Sequence, residues 1–231
     1  MLSKRLYELS NLVITKKRVV DVGCDHALLG IYLLKNERVA SVLAIDVNEN
    51  AIKAAKANKK KYVVPNLEIM LNDGLENVTL RESDNVVISG MGTNTIIKIL
   101  ENSDFKAART IIIQSNNNLY KLRKYMYKNK YKIDTEFVVF EKGKYYVLIR
   151  FIRARKEKYK NDDEKKRDEK LKKETYSFSE LYFGKYTKRY KDYMKYVHDN
   201  LKETYKNIPY TKVFKKAKYK ILVCLAKKRK K

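Results

Sequence analysis

Apolar runs at residues 19–22, 42–45, 86–88 and 111–113 stand between polar or small residues, and the stretches separating them repeat their apolar positions every three or four residues. Short runs without alternation read as strands covered on both faces, and the three-to-four spacing as helices packed on them. The pattern predicts strands near 18–23, 41–46, 67–71, 84–89, 109–114, 133–140 and 144–152. It predicts helices near 27–35, 48–60, 93–102 and 118–129. Ser3, ahead of Leu6, Leu9 and Val13, predicts a short capped helix before the first strand. The alternation implies a doubly wound α/β sheet of seven strands. Its last two strands are joined only by Glu141-Lys142-Gly143, too short for a crossover helix, so they form an antiparallel hairpin.

The pattern changes at Arg153. Residues 155–175 are almost wholly charged and read as a solvated helix or a tether. Tyr186, Tyr190, Tyr193, Val197, Leu201 and Tyr205 then fall on one helical stripe, which Asn207-Ile208-Pro209 breaks. A last helix follows, with Phe214, Ala217, Ile221 and Leu225 expected to face inward. The chain thus divides into a sheet domain, residues 1–152, and a helical coiled-coil domain, residues 153–231. The tyrosine stripe is read as core in preference to a base-stacking platform.

The net charge of the 231 residues is +26. Residues 1–152 carry 25 Lys and Arg against 16 Asp and Glu, whereas residues 153–231 carry 28 against 11. An AT-rich genome, which favours Lys, explains the excess but not its asymmetry, which points to a polyanionic partner, nucleic acid first. No apolar run reaches a membrane span, and the N-terminus lacks the stretch of a signal peptide, so the expected location is the cytoplasm. Cys24 and Cys224 are distant and have no neighbouring histidine, so no metal site is expected. Oligomeric state is left open, with a monomer favoured.

The first strand runs into Asp21-Val-Gly23-Cys-Asp25-His26. A dinucleotide turn needs glycine at its first, third and sixth positions, which here are Gly23, Asp25 and Leu28. A carboxylate at the third repels a pyrophosphate yet accepts hydrogen bonds from a cationic or hydroxyl-rich ligand, favouring S-adenosylmethionine over NAD. Asp46 closes the second strand, 25 residues after Asp21, where a carboxylate takes both ribose hydroxyls or caps the next helix. Val47 follows it. Asn72-Asp73-Gly74 after the third strand offers a turn for the adenine ring.

Ser89-Gly90-Met91-Gly92 follows the fourth strand, where substrate and cofactor meet in such folds. Enzymes that methylate exocyclic amines usually carry an Asn-Pro-Pro-Tyr type motif there, and the only prolines in this chain are Pro65 and Pro209. Carbon-5 methylation of a pyrimidine needs a cysteine nucleophile, but Cys24 lies in the cofactor turn and Cys224 in the basic tail. Attack by a ring nitrogen remains, for which positioning suffices. Gln114-Ser-Asn116-Asn-Asn118 offers amides to read an extruded base or, equally, to cap the following helix. The reacting end is drawn from Asp25, Gly90, Met91, Gln114 and Asn116, with no single catalytic residue assigned. The cofactor-binding set is Asp21, Gly23, Asp25, His26, Asp46, Val47, Asp73, Gly74, Gly90, Met91 and Gly92. His198 is placed on the helical surface.

Leu2-Ser-Lys-Arg-Leu6, Val20-Asp-Val-Gly-Cys-Asp-His-Ala-Leu28, Asp73-Gly-Leu75, Ser89-Gly-Met-Gly92, Gln114-Ser-Asn-Asn117 with Leu122-Arg123, and Lys144-Tyr-Tyr146 together resemble the bacterial TrmK family. The match runs in order through residues 2–152, and more weakly through Glu180-Leu181 and Gly184. The resemblance implies a class I methyltransferase fold, S-adenosylmethionine as cofactor, and methylation of N1 of adenosine 22 in tRNA. The family usually has serine at the place of Cys24, often glycine at that of Thr93, and proline at that of Ser115. Two alternatives stand beside it: a non-catalytic RNA-binding protein with a vestigial cofactor fold, and a methyltransferase acting on ribosomal RNA.

Overall fold

A computed structural model describes residues 2–154, 188–209 and 211–229. The chain forms two compact units that divide at Arg167 and Asp168.

The first unit opens with α1 (Lys4–Asn11), whose cap is Ser3: its side chain accepts from Leu6 N at 3.2 Å. The elements β1 (Arg18–Val22), α2 (Leu28–Lys35), β2 (Ser41–Asp46), α3 (Glu49–Tyr62) and β3 (Leu67–Leu71) follow, then β4 (Asn85–Met91), α4 (Thr93–Glu101), β5 (Thr110–Ser115) and α5 (Leu119–Lys128). The hairpin of β6 (Tyr131–Glu141) and β7 (Lys144–Arg153) closes the unit. Its two linking residues, Lys142 and Gly143, have φ of 47° and 78°, the left-handed pair that a tight hairpin turn requires.

The seven strands lie in the order β3-β2-β1-β4-β5-β7-β6. β1 to β5 pair in parallel, and β7 runs antiparallel to both of its neighbours. The predicted hairpin is therefore present, with its second strand inserted beside β5 and its first at the edge.

Alternate strand residues serve opposite faces. Val19, Val42, Val87 and Ile112 join one cluster with Leu9 of α1, Leu29 and Leu33 of α2, and Ala55 of α3. Buried Val20, Val86, Ile111 and Ile113 point to the other face, which α4 and α5 cover through Ile96, Leu100, Leu122 and Met126. The strand order reverses between β1 and β4, and ligands of open α/β sheets bind outside the carboxyl ends of the strands at such a point.

In the second unit, α6 (Lys188–Lys206) packs against α7 (Val213–Arg229). Tyr190, Met194 and Ala226 are buried together, with Tyr193, Val197 and Leu201 half-buried around them. The stripe is thus core at its described positions. Two expectations are corrected: His198 is 7% exposed and therefore buried, its Nδ1 2.9 Å from Asp199 Oδ1, and Ala217 is exposed. The readings at 155–175, Tyr186, Glu180, Leu181 and Gly184 lie outside the described residues, as do those of the Phe214, Ile221 and Leu225 side chains.

Candidate active site

The turn after β1 is built to free its backbone. Gly23 N and Cys24 N both donate to Ile45 O, at 2.8 and 3.0 Å, which pins the turn to the end of β2. Gly23 has φ of 73°, and a Cβ there would stand 2.2 Å from Met91 Cε. The left-handed φ favours glycine, and any side chain there would have to displace the Met91 methyl. Asp25 and Ala27 also take left-handed φ, 51° and 55°, strained for side chains of their kind and tolerated where the chain must turn sharply into α2.

Asp46 sits at the carboxyl end of β2 with its carboxylate already oriented. Oδ2 accepts from Asp25 N at 2.9 Å and Oδ1 from Asn48 N at 3.0 Å. It does not cap α3: Asn48 does, its Oδ1 accepting from Asn50 N and Ala51 N. Each Asp46 oxygen keeps a lone pair for a further donor. At the end of β3, Asn72 N donates to Asp46 O, and its side-chain amide holds Gly74 O and Glu76 O. Gly74 takes φ of 61° with its Cα against Ile99, where a Cβ would come within 2.9 Å.

These ends border an open cleft outside the carboxyl edge of the sheet. Val22, Ile45, Val47, Met91 and Ile99 give it apolar walls, and Asp46, Asn72, Asp73 and Glu76 give it acceptors. Lys98 of α4 and Asn102, just past its end, complete it, Asn102 donating to Glu76 Oε1 at 3.2 Å. Such a wall suits a hydroxyl-bearing, positively charged ligand with a flat ring and opposes a pyrophosphate. Asp21 lies behind the turn, with Ala44 and Val87 as its register neighbours. Burial there, and then the Asp46 charge, push its carboxyl up to about 7. Burial followed by the Asp21 and Asp46 charges pushes the Cys24 thiol up to about 12, so it is no nucleophile near neutral pH. His26 is exposed beside Asp25, Nε2 to Oδ1 3.4 Å, and does not line the cleft.

The reacting end is an interlock of the loops after β4 and β5. A bulge between Ser89 and Met91 leaves Gly90 unpaired with φ of 81°. Fully buried Gln114 accepts from Gly90 N at 3.0 Å and from Arg5 Nη1 at 2.5 Å through Oε1, and donates to Asn116 Oδ1 at 3.0 Å. Asn116 in turn donates to Gly90 O at 2.7 Å, and its own N–H to Met91 O at 2.8 Å. Gln114 is thus fully committed to Gly90, Arg5 and Asn116 and is a positioning residue, while Asn116 is exposed. Gly92 caps α4, and Thr93 N donates to Asn117 Oδ1 at 3.0 Å.

Sequence reasoning had no role for Arg5, Glu76, Lys98 or Asn102, and it placed Asn72 in the adenine turn without the backbone-holding task that its amide performs. Arg5 stood in a quoted motif, but its guanidinium meets Gln114 and the Tyr146 ring, 5.2 Å away, only through tertiary packing. Lys98 and Asn102 fall one turn apart along α4 and its C-cap, a periodicity that places them together without saying what they face.

A seven-stranded sheet with one reversed strand, and an acid-lined cleft outside the β1/β4 switch point, define a methyltransferase of Rossmann-like architecture. Residues 2–149 match the family described as "Methyltransferase domain", and the chain belongs to that family. It is 29% identical over 151 residues to a Bacillus subtilis protein named tRNA (adenine(22)-N(1))-methyltransferase, covering 64% of this chain and 63% of that one. A putative tRNA methyltransferase of Mycoplasma pneumoniae is 29% identical over 154 residues, covering 64% and 70%. The structure of M. capricolum TrmK with S-adenosyl-homocysteine superposes with a TM-score of 0.82 at 26% identity, over 100% of this chain and 98% of that one. Among the described residues no helix is long and apolar enough to cross a membrane.

Proposed function

We propose that the chain transfers a methyl group from S-adenosylmethionine to N1 of adenosine 22 in tRNA. The observation that carries the reading is Asp46, whose two oxygens are held by Asp25 N and Asn48 N and turned to the cleft, ready for the two hydroxyls of a ribose. Asp73 and Asn72 border the adenine end, and Gly23 with Gly90 and Met91 the methionine end. The relatives' names supply the substrate class and the position.

The bound cofactor supplies an electrophilic methyl on a sulfonium, and transfer to a neutral ring nitrogen carries the positive charge to the adenine without releasing a proton. No general base is then required. The residues at the reacting end fit that economy: Gly90, Met91, Gln114 and Asn116 fix one another, and none is a titrating base. Cys24, with its thiol pushed up to about 12, does not serve the covalent route of carbon-5 methylation. N1 lies on the pairing edge, so the adenosine leaves its stack before reacting.

The second unit, rich in Lys and Arg, is proposed to add tRNA affinity, and the cytoplasm is the expected place of action. The test is nucleoside analysis of tRNA after incubation with labelled cofactor. N1-methyladenosine, lost when adenosine 22 is replaced, is the expected product. An N6 product measured before alkaline rearrangement, or label in ribosomal RNA alone, overturns the reading.

A further inference from the structure

The α4–α5 groove begins beside the reaction site. Asn94 stands two residues past Gly92, Lys121 three past Asn118, and Lys98 lines both the cleft and the groove. About 700 Å³ of open space lies between the helices, floored by Ile97 and half-buried Tyr125. Lys121, Lys124 and Lys128 follow one another along α5 at steps of three and four residues, so their roots lie about 5–6 Å apart on one face.

Among the described residues of this unit no lysine is ion-paired, and what sets the groove apart is that four lysines line it against a single carboxylate. Arg18 is paired with Asp84, Arg123 with Glu136, Arg150 with Asp134 and Arg153 with Glu82. The groove lysines have no carboxylate partner among the described residues: Lys121 donates to the neutral Asn94 at 2.7 Å, and Lys124 lies over the Tyr120 ring. Glu101 is the one acid among the groove's lining residues.

We propose that this groove is a phosphate-backbone track that holds RNA on the methyltransferase unit and leads the target base to the Gly90 and Asn116 loops. The proposal rests on tRNA being the substrate. A row of ammonium groups, point charges without base-reading geometry, matches evenly spaced phosphates and fixes register, leaving recognition to the site at its end.

The test uses the full chain with K121Q/K124Q/K128Q, and as control K53Q/K56Q/K60Q, which removes an exposed lysine row of like spacing from α3. For the groove variant, KM for tRNA rises on the order of tenfold at about 0.15 M salt, and the slope of log affinity against log salt falls by about two to three. Its kcat and S-adenosylmethionine affinity stay unchanged, which also shows that it is folded. The control shifts KM less than about twofold. Equal effects of the two triples, or no effect of either while the native chain methylates tRNA, overturns the track. So does equal displacement of RNA by polyglutamate of matched charge, which makes the groove a general polyanion or acidic-protein surface. A native chain that binds tRNA without methylating it defeats the reading of function, and the salt slopes still decide the groove.

Discussion

Thr93 Oγ1 lies 2.8 Å from Ser115 Oγ, joining the first residue of α4 to the last of β5 inside the buried base of the reaction site. Both hydroxyls also reach Asn117 O, at 2.5 and 2.9 Å. These are two of the three places at which the chain departs from the family it resembles, and the structure makes them one change: the two hydroxyls touch and share the Asn117 carbonyl as acceptor.

The pair should therefore behave as a unit. Thr93→Val and Ser115→Ala, alone and together, are expected to show a coupling energy of about 1 kcal/mol in urea unfolding, the value of one buried hydrogen bond. Additivity within about 0.3 kcal/mol would mean that the two hydroxyls are independent.

Asp46→Ala removes the acceptor of Asp25 N and Asn48 N as well as the proposed ribose contact. S-adenosylmethionine affinity should fall roughly thirtyfold, on the order of 2 kcal/mol. Titration calorimetry checks it, and an unchanged affinity removes Asp46 from the cofactor site.

Arg5 supports Gln114, and Gln114 supports the Gly90 peptide. Arg5→Ala should lower kcat for tRNA methylation by about 10- to 100-fold, the scale of a small misplacement at the reacting centre. Cofactor affinity should stay within twofold, because Arg5 does not line the cleft. Equal loss of cofactor binding would point to collapse of the whole site.

Asp21 carries a pH dependence. Its carboxyl is raised from 3.8 to about 7 by burial and by Asp46, so the folded chain holds a proton that the unfolded chain releases. Its contribution is complete below the ordinary value and is lost as pH rises through about 7, which makes cofactor-free stability decline across that window. Asp21→Asn should flatten the decline and gain up to about 4 kcal/mol at pH 8. Urea midpoints at pH 5 and 8 measure it; a variant as pH-dependent as the native chain refutes the assignment.

The parallel strands were legible because residues such as Val86, Val87 and Ile88 are apolar without alternation, and the hairpin because the link Glu141-Lys142-Gly143 is too short for a crossover. Which hairpin strand would pair with β5 was not, since a tight turn lets either strand lie beside it. Asp46 was found from its place at a strand end, while its freedom from capping depended on Asn48 taking that task. Lys98 and Arg5 escaped because their meaning comes from what another element brings opposite them. His198 looked like a surface residue because Lys195 and Asp199 flank it, yet its helical phase turns it inward.

The contacts of Arg5 also reach far along the chain. Its backbone N–H reaches Glu141 across 136 residues of chain, and its guanidinium reaches Gln114 across 109. Strands β1 to β4 and α4 bring together the cleft from residues 22–102, whereas the base side also needs α1 docked on the final hairpin. The reacting end is thus a seam between the two ends of this unit, so its geometry depends on a long-range docking that the cleft residues, all between Val22 and Asn102, do not share.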